Sequence, residues 1–222
     1  MENNDRFSAP KSAIESTSPI AGVKHRRPLR TGLEIIVPTS ADDIGLLPER
    51  VGVIEALTAF DHKLCISIDG EVPEALIGDV TSMLSGIRSE DWRLMQSSHG
   101  LNQAIDRDLG NSTEAYVAVI PVDRLLDDAE WFGKMQAPFL RDPTCGMTFA
   151  FDSMAGNTRP PHRWDRKYDV PGHVFMVPRF AIEPARRSIK FAVADDDYAN
   201  HLQHALHGLG LSTWAVPSVR LM

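Results

Sequence analysis

LEIIVPTSADDIGLLPERVGVIEALTAFDHKLCISI, residues Leu33 to Ile68, places a strand, a helix and a second strand in direct succession. Leu33 to Val37 is an apolar, β-branched run stopped by Pro38, and it reads as the first strand of the folded domain. Ala41-Asp42-Asp43 and Pro48-Glu49-Arg50 carry helix-start chemistry, after which Val51, Ile54 and Leu57 recur at helical spacing. Leu64 to Ile68 is the next strand, closed by Asp69-Gly70.

The alternation continues outward from there. After Pro73, the residues Leu76, Ile77, Val80, Met83, Leu84 and Ile87 form an amphipathic stripe. Asp91 to Gln96 reads as a strand, Leu101 to Leu109 as a weak helix ended by Gly110-Asn111, and Glu114 to Val122 as the strand richest in β-branched residues. Helical spacing from Val122 to Gln136 stops ahead of Pro138, and Met147 to Phe151 is another strand. His173 to Val177 and Ser188 to Ala194 read as two strands connected by Arg179 to Arg187. Asp195-Asp196-Asp197 suits the positive end of a helix running to His207, and Ser212 to Val216 is a last strand.

Strands alternating with helices, without internal repeats, define an α/β or α+β protein: one domain, residues 32–222, with a mixed central sheet flanked by helices. Residues 1–31 are rich in Ser, Pro and Asn and end in the basic cluster Lys24 to Arg30, so a mobile tail is expected there. The order of the strands in the sheet is not encoded in the pattern.

Composition removes several classes. A chain of 222 residues that is 43% hydrophobic can bury a substantial core, and its formal net charge of −7 opposes a general nucleic-acid coat. The only cysteines, Cys65 and Cys145, have no neighbouring partner in sequence, so neither a disulfide framework nor a zinc ribbon is readable. No run approaches the roughly 18 apolar residues of a membrane span, and no secretory h-region is present, so a soluble cytoplasmic protein is expected. The sequence also lacks G-x-G-x-x-G, G-x-x-x-x-G-K-[ST], G-x-S-x-G, H-E-x-x-H and an EF-hand loop.

The functional signal is a charge contrast. Arg159 to Lys190 holds eight Lys/Arg against three Asp/Glu, whereas the rest of the chain from Leu33 onward holds nine against twenty-four. Guanidinium groups bind carboxylate or phosphate in pairs, and Trp164 and Tyr168 lie among them as stacking surfaces. Arg159, Arg163, Trp164 and Arg179 are therefore the candidate substrate-binding residues. His162, Asp165 and His173 supply two imidazoles and a carboxylate, which serve either as ligands of a divalent metal ion or as acid/base groups. The competing structural reading leaves these as exposed loop residues, with Asp165 paired to Arg163 or Arg166 and the basic charge neutralised by acidic stretches such as Asp127-Asp128-Glu130.

Two weaker signals accompany this one. His201, His204 and His207 share the C-terminal helix, with His207 expected almost opposite its buried stripe, and Cys145 precedes a strand in Asp142-Pro143-Thr144-Cys145-Gly146. A solvated His-bearing face and a buried structural thiol are the ordinary readings of these. The sequence thus supports an enzyme acting on a small carboxylate- or phosphate-bearing substrate at residues 159–190, with or without a metal. The alternative is a non-catalytic regulatory or adaptor protein whose basic stretch and Lys24 to Arg30 cluster dock on an acidic protein surface.

Overall fold

The computed structural model describes residues 32–87, 92–97, 99–150, 160–164, 174–189, 198–219 and 221. Within them the chain forms β1 (Leu33–Ser40), a 3-10 turn (Ala41–Leu46), α1 (Leu47–Leu57), β2 (Lys63–Asp69), α2 (Glu74–Leu84), β3 (Trp92–Ser97), α3 (Leu101–Asn111) and β4 (Tyr116–Val119). The second half adds α4 (Trp131–Arg141), β5 (Cys145–Ala150), β6 (His162–Arg163), β7 (Phe175–Pro178), α5 (Arg179–Arg186), α6 (Tyr198–Gly208) and β8 (Ser212–Val216). The eight strands make one mixed sheet in the order β3-β2-β1-β4-β7-β5-β8-β6.

Strand alternation sorts the core into two layers. Leu33, Ile35 and Val37 of β1 face the apolar sides of α1, α2 and α4, where Leu47, Val51, Val80, Leu84, Trp131 and Met135 are buried. Ile36 of β1 and Cys65 of β2 point the other way, towards Ile105 and Leu109 of α3, Ile182 of α5 and Leu202 and Leu206 of α6. A sheet with helices on both faces is the expected outcome when central strands are apolar on both sides.

Three sequence expectations need correction. The Arg179 to Arg187 connection is largely helix: Pro178 stands at its N-cap, and Pro184 is accommodated inside it. The helix expected to start at Val122 begins only at Trp131, because Val122 still follows the sheet, its N–H donating to Pro38 O at 3.1 Å. That helix also passes through Pro138 instead of stopping before it. The tail, most of the Ser188 to Ala194 strand, and the acidic cap at Asp195 to Asp197 lie outside the described residues.

Candidate functional site at the carboxyl edge of the sheet

From β1 the chain builds outward through β2 to β3, then returns to lay β4 on the other flank of β1. All three pairings are parallel. The strand order therefore reverses between β1 and β4. In open α/β sheets the carboxyl ends of the strands at such a switch point leave a crevice, because the crossover helices diverge to opposite faces there.

Short polar residues collect at that edge. Ser40 ends β1, where its Oγ accepts from Asp43 N at 3.2 Å and donates to Asp43 Oδ2 at 2.7 Å, so the turn into α1 is fixed from its first residue. Asp69 ends β2, and its Oδ1 accepts from Gly100 N at 3.0 Å. This contact seats the residue that precedes α3. Gly70 and Gly100 have φ of +109° and +94°, values at which a side chain would be strained. Beyond β4, the N–H of Ile120 donates to Ile36 O, and three residues later the chain carries Asp123 past the edge.

Cations flank this carboxylate. Arg124 Nε lies 3.5 Å from Asp123 Oδ2, and Arg50, reaching from α1, donates through Nε to Val122 O at 3.1 Å. The same edge receives the ends of the second half. Ala150 N donates to Val174 O, and Phe175 of β7 pairs with Val119 of β4. Arg159 and His173 lie outside the described residues.

Among the described residues expected from the sequence, Arg179 stands apart from His162, Arg163 and Trp164. His162 and Arg163 are exposed on β6, opposite Ala215 and Trp214 of β8. Four strand spacings, about 19 Å at roughly 4.8 Å each, separate β6 from β4. Trp164 follows β6, half-buried, with its ring edge-on to Phe149 at 5.5 Å. Arg179 stands at the amino end of β4, where its N–H donates to Ala115 O at 2.9 Å, which is the opposite edge from Asp123. Asp165 lies outside the described residues.

Other charges expected to be available are committed within the fold. Arg186 binds Asp106 through two bonds of 3.0 and 2.8 Å, Tyr198 Oη donates to the same carboxylate, and three helices are tied at that point. A Cβ at Gly110 would collide with the Arg186 guanidinium, so α3 passes α5 closely at a glycine. Burial, and then the Asp106 charge beside it, push the Tyr198 hydroxyl well up from its ordinary range. His207 is half-buried, not turned to solvent, with Nε2 3.2 Å from Thr213 Oγ1. Cys145 is buried and its thiol is pushed up by that burial, which suits the structural reading.

The edge residues Ser40, Asp69 and Asp123 were not singled out from sequence. Their signal is positional: each sits one to four residues past the last apolar residue of a strand, in LEIIVPTS, LCISID and YVAVIPVD. That spacing becomes informative only once the strand order is known.

The same fold is found in solved structures at low sequence identity. The mannosyltransferase PcManGT from Pyrobaculum calidifontis, in complex with GDP-Man and Mn2+, is similar with a TM-score of 0.62 and 14% identity, over 85% of this chain and 55% of that one. TarS 1-349 from S. aureus, in complex with UDP-GlcNAc, has a TM-score of 0.60 and 11% identity, over 86% of this chain and 57% of that one. The 4-diphosphocytidyl-2C-methyl-D-erythritolsynthase from Anaerococcus prevotii has a TM-score of 0.58 and 11% identity, over 86% of this chain and 87% of that one. The chain thus spans little more than half of the first two, and what it shares with all three is the fold. The sequence matches no family model and no curated protein. No helix among the described residues is long and apolar enough to cross a membrane.

Proposed function

We propose that this chain is an enzyme that binds a phosphate-bearing, nucleotide-linked substrate, of which a nucleotide sugar is the leading example, in the crevice between the carboxyl ends of β1 and β4. The observation that carries this reading is the reversal of strand order at β1 and β4, in a fold shared with proteins solved with GDP-Man and UDP-GlcNAc. Ser40 and Asp69 hold the crevice walls in register, and Asp123 with Arg124 lies at its mouth. Arg159 supplies positive charge to the phosphates, and His173, one residue before the described start of the β7 segment, serves as the acid/base group. His162, Arg163 and Trp164 serve the far end of a two-part substrate.

Group transfer from such a substrate forms a bond from an acceptor oxygen to the transferred carbon or phosphorus. It breaks the bond to the leaving phosphate, whose oxygen keeps the electron pair, while the acceptor's proton passes to a base. Preorganised cations and N–H groups stabilise the charge that develops on the leaving group.

The solved mannosyltransferase carries Mn2+. Among the described residues of this chain, no group of three or more His, Cys, Asp or Glu is placed to hold a metal ion. At the end of β4, Pro121 and Val122 precede the single carboxylate Asp123. A hard divalent ion held by one or two carboxylates takes its remaining oxygens from substrate phosphates and water, so Asp123 would be this chain's contribution to such an ion; no step above runs through a metal. His162, Asp165 and His173 are the remaining candidate set, and metal analysis of untagged protein tests it. Stoichiometric metal lost in both His162→Ala and His173→Ala assigns them as ligands; metal-free wild-type protein leaves them as acid/base or binding groups.

The adaptor alternative is the less favoured, because Arg186, one of the arginines of the basic stretch it would dock through, is bound to Asp106 within the fold. Calorimetric titration with UDP-GlcNAc and GDP-Man tests the enzyme reading. Saturable binding of either, weakened tenfold or more by Arg159→Ala, is the expected result, and no binding of either nucleotide sugar removes the reading.

A further inference from the structure

β6 is a two-residue strand at the sheet's far edge, too short to hold its place by ladder bonds alone. It is nonetheless paired with β8, and one buried residue of β8 holds the residue that follows it. The backbone carbonyl of Thr213 accepts from Trp164 N at 2.8 Å. Its hydroxyl lies 3.3 Å from Trp164 O, 3.2 Å from Gln203 Nε2 and 3.2 Å from His207 Nε2.

The proton assignments follow from the partners. A hydroxyl has one hydrogen to donate and two lone pairs, and a carbonyl only accepts. The Thr213 hydrogen therefore goes to Trp164 O, and both lone pairs receive hydrogens, one from Gln203 and one from His207 Nε2. The hydroxyl is saturated, and Thr213 and Gln203 are fully buried. Trp164 is thus gripped at both its N–H and its C=O by a single residue. Its ring is braced by Phe149 at 5.5 Å, and the ring of His162 is 6.1 Å from it.

We propose that Thr213 is a positioning residue: by clamping the backbone of Trp164 it sets where His162 and Trp164 stand for the substrate. The inference rests on the functional reading above, in which these two side chains meet the far end of the substrate. Thr213 itself touches no ligand. Gln203 and His207 act through it, by filling the lone pairs that would otherwise let the hydroxyl turn away from Trp164.

The test compares Thr213→Val, which keeps the shape and loses the hydroxyl, with Thr213→Ser, which keeps all three bonds. Hydrogen exchange on the ligand-free protein is the first readout. Protection of the Trp164 amide should fall tenfold or more in Thr213→Val and return in Thr213→Ser, with β1, β2 and β4 unchanged. The second readout is the ratio of the Kd for UDP-GlcNAc to that for UDP, because UDP alone does not reach β6. This ratio should shift fivefold or more in Thr213→Val and stay within twofold of wild type in Thr213→Ser. A general loss of stability would lower Tm in Thr213→Val and leave the ratio alone. Unchanged protection at Trp164, or a shifted amide with an unshifted ratio, overturns the proposal. If wild-type protein binds none of UDP, UDP-GlcNAc and GDP-Man, the functional reading falls and takes the positioning role with it, while the exchange data still report whether the clamp exists; if it binds only GDP-Man, the ratio is read with GDP-Man against GDP.

Discussion

The half of the sheet made by β3, β2, β1 and β4 is parallel throughout, whereas β7, β5, β8 and β6 change direction at β7/β5 and again at β8/β6. In the parallel half every strand delivers its carboxyl end to one edge. Ser40, Asp69 and Asp123 accumulate there with little change in local charge. In the mixed half the described polar side chains are largely spent on holding elements together: Arg186 and Tyr198 on Asp106 of α3, Asp142 on Thr144, Ser212 and Trp214, and Thr213 on three partners. A charge-rich segment and a ligand-ready edge are therefore different things, and in this protein they lie largely on different halves.

The largest effect should come from the helix that joins the two halves. Trp131 of α4 is fully buried and donates through Nε1 to Thr58 Oγ1 at 3.3 Å. Trp131→Ala should cost about 3–5 kcal/mol in urea unfolding, as for other large core truncations. Asp106→Ala comes next, because it leaves the Arg186 guanidinium and the Tyr198 hydroxyl without their shared acceptor. A loss of about 1–3 kcal/mol is expected, with nucleotide-sugar affinity unchanged. A tenfold change in affinity would place α3, α5 and α6 in the site and erase the contrast between the halves.

Asp142 gives a smaller effect with a pH signature. Burial alone would raise its pKa, but the hydrogen bonds from Thr144, Ser212 and Trp214 outweigh it and bring the carboxyl from 3.8 to about 2. A folded-state pKa below the unfolded value gives stability that is present above about pH 4 and lost as pH falls towards 2. Solvent screening at this partly exposed group reduces the contribution to about 1–2 kcal/mol. Asp142→Asn should lose that amount at pH 7 and show a flatter acid limb in pH-dependent unfolding; an acid limb identical to wild type would contradict the assignment. Smallest of all is Arg187→Ala: its pair with Glu183 is 3.9 Å long and the Arg187 side chain is 82% exposed, so a change within about 0.5 kcal/mol is expected.

Much of the fold could be read from residue patterns because strand and helix periods differ. Ser212 to Val216 is a strand with those bounds, and Leu33 and Leu101 begin elements where the pattern placed them. The errors came where proline chemistry is ambiguous. Pro184 lies within a helix whose Ala181, Ile182 and Ala185 are buried, so packing overrides the local cost of the proline. Pro138 is likewise retained in α4, between the buried Met135 and Phe139. The site was less legible than the fold. Asp123 becomes a candidate only when β4 is known to lie beside β1, and that adjacency is set by pairing partners 80 or so residues apart, such as Leu33 with Tyr116. His207 was misplaced because its partner Thr213 is on the following strand, out of reach of any helical projection.

The central claim is that substrate binds at the carboxyl edge of β1 and β4. Hydrogen exchange with and without saturating UDP-GlcNAc or GDP-Man tests it most directly. Added protection is predicted at residues 38–43, 69–70 and 120–124, with none at 179–187. Protection centred on Arg179 to Arg187, or binding that leaves 120–124 untouched, would contradict it.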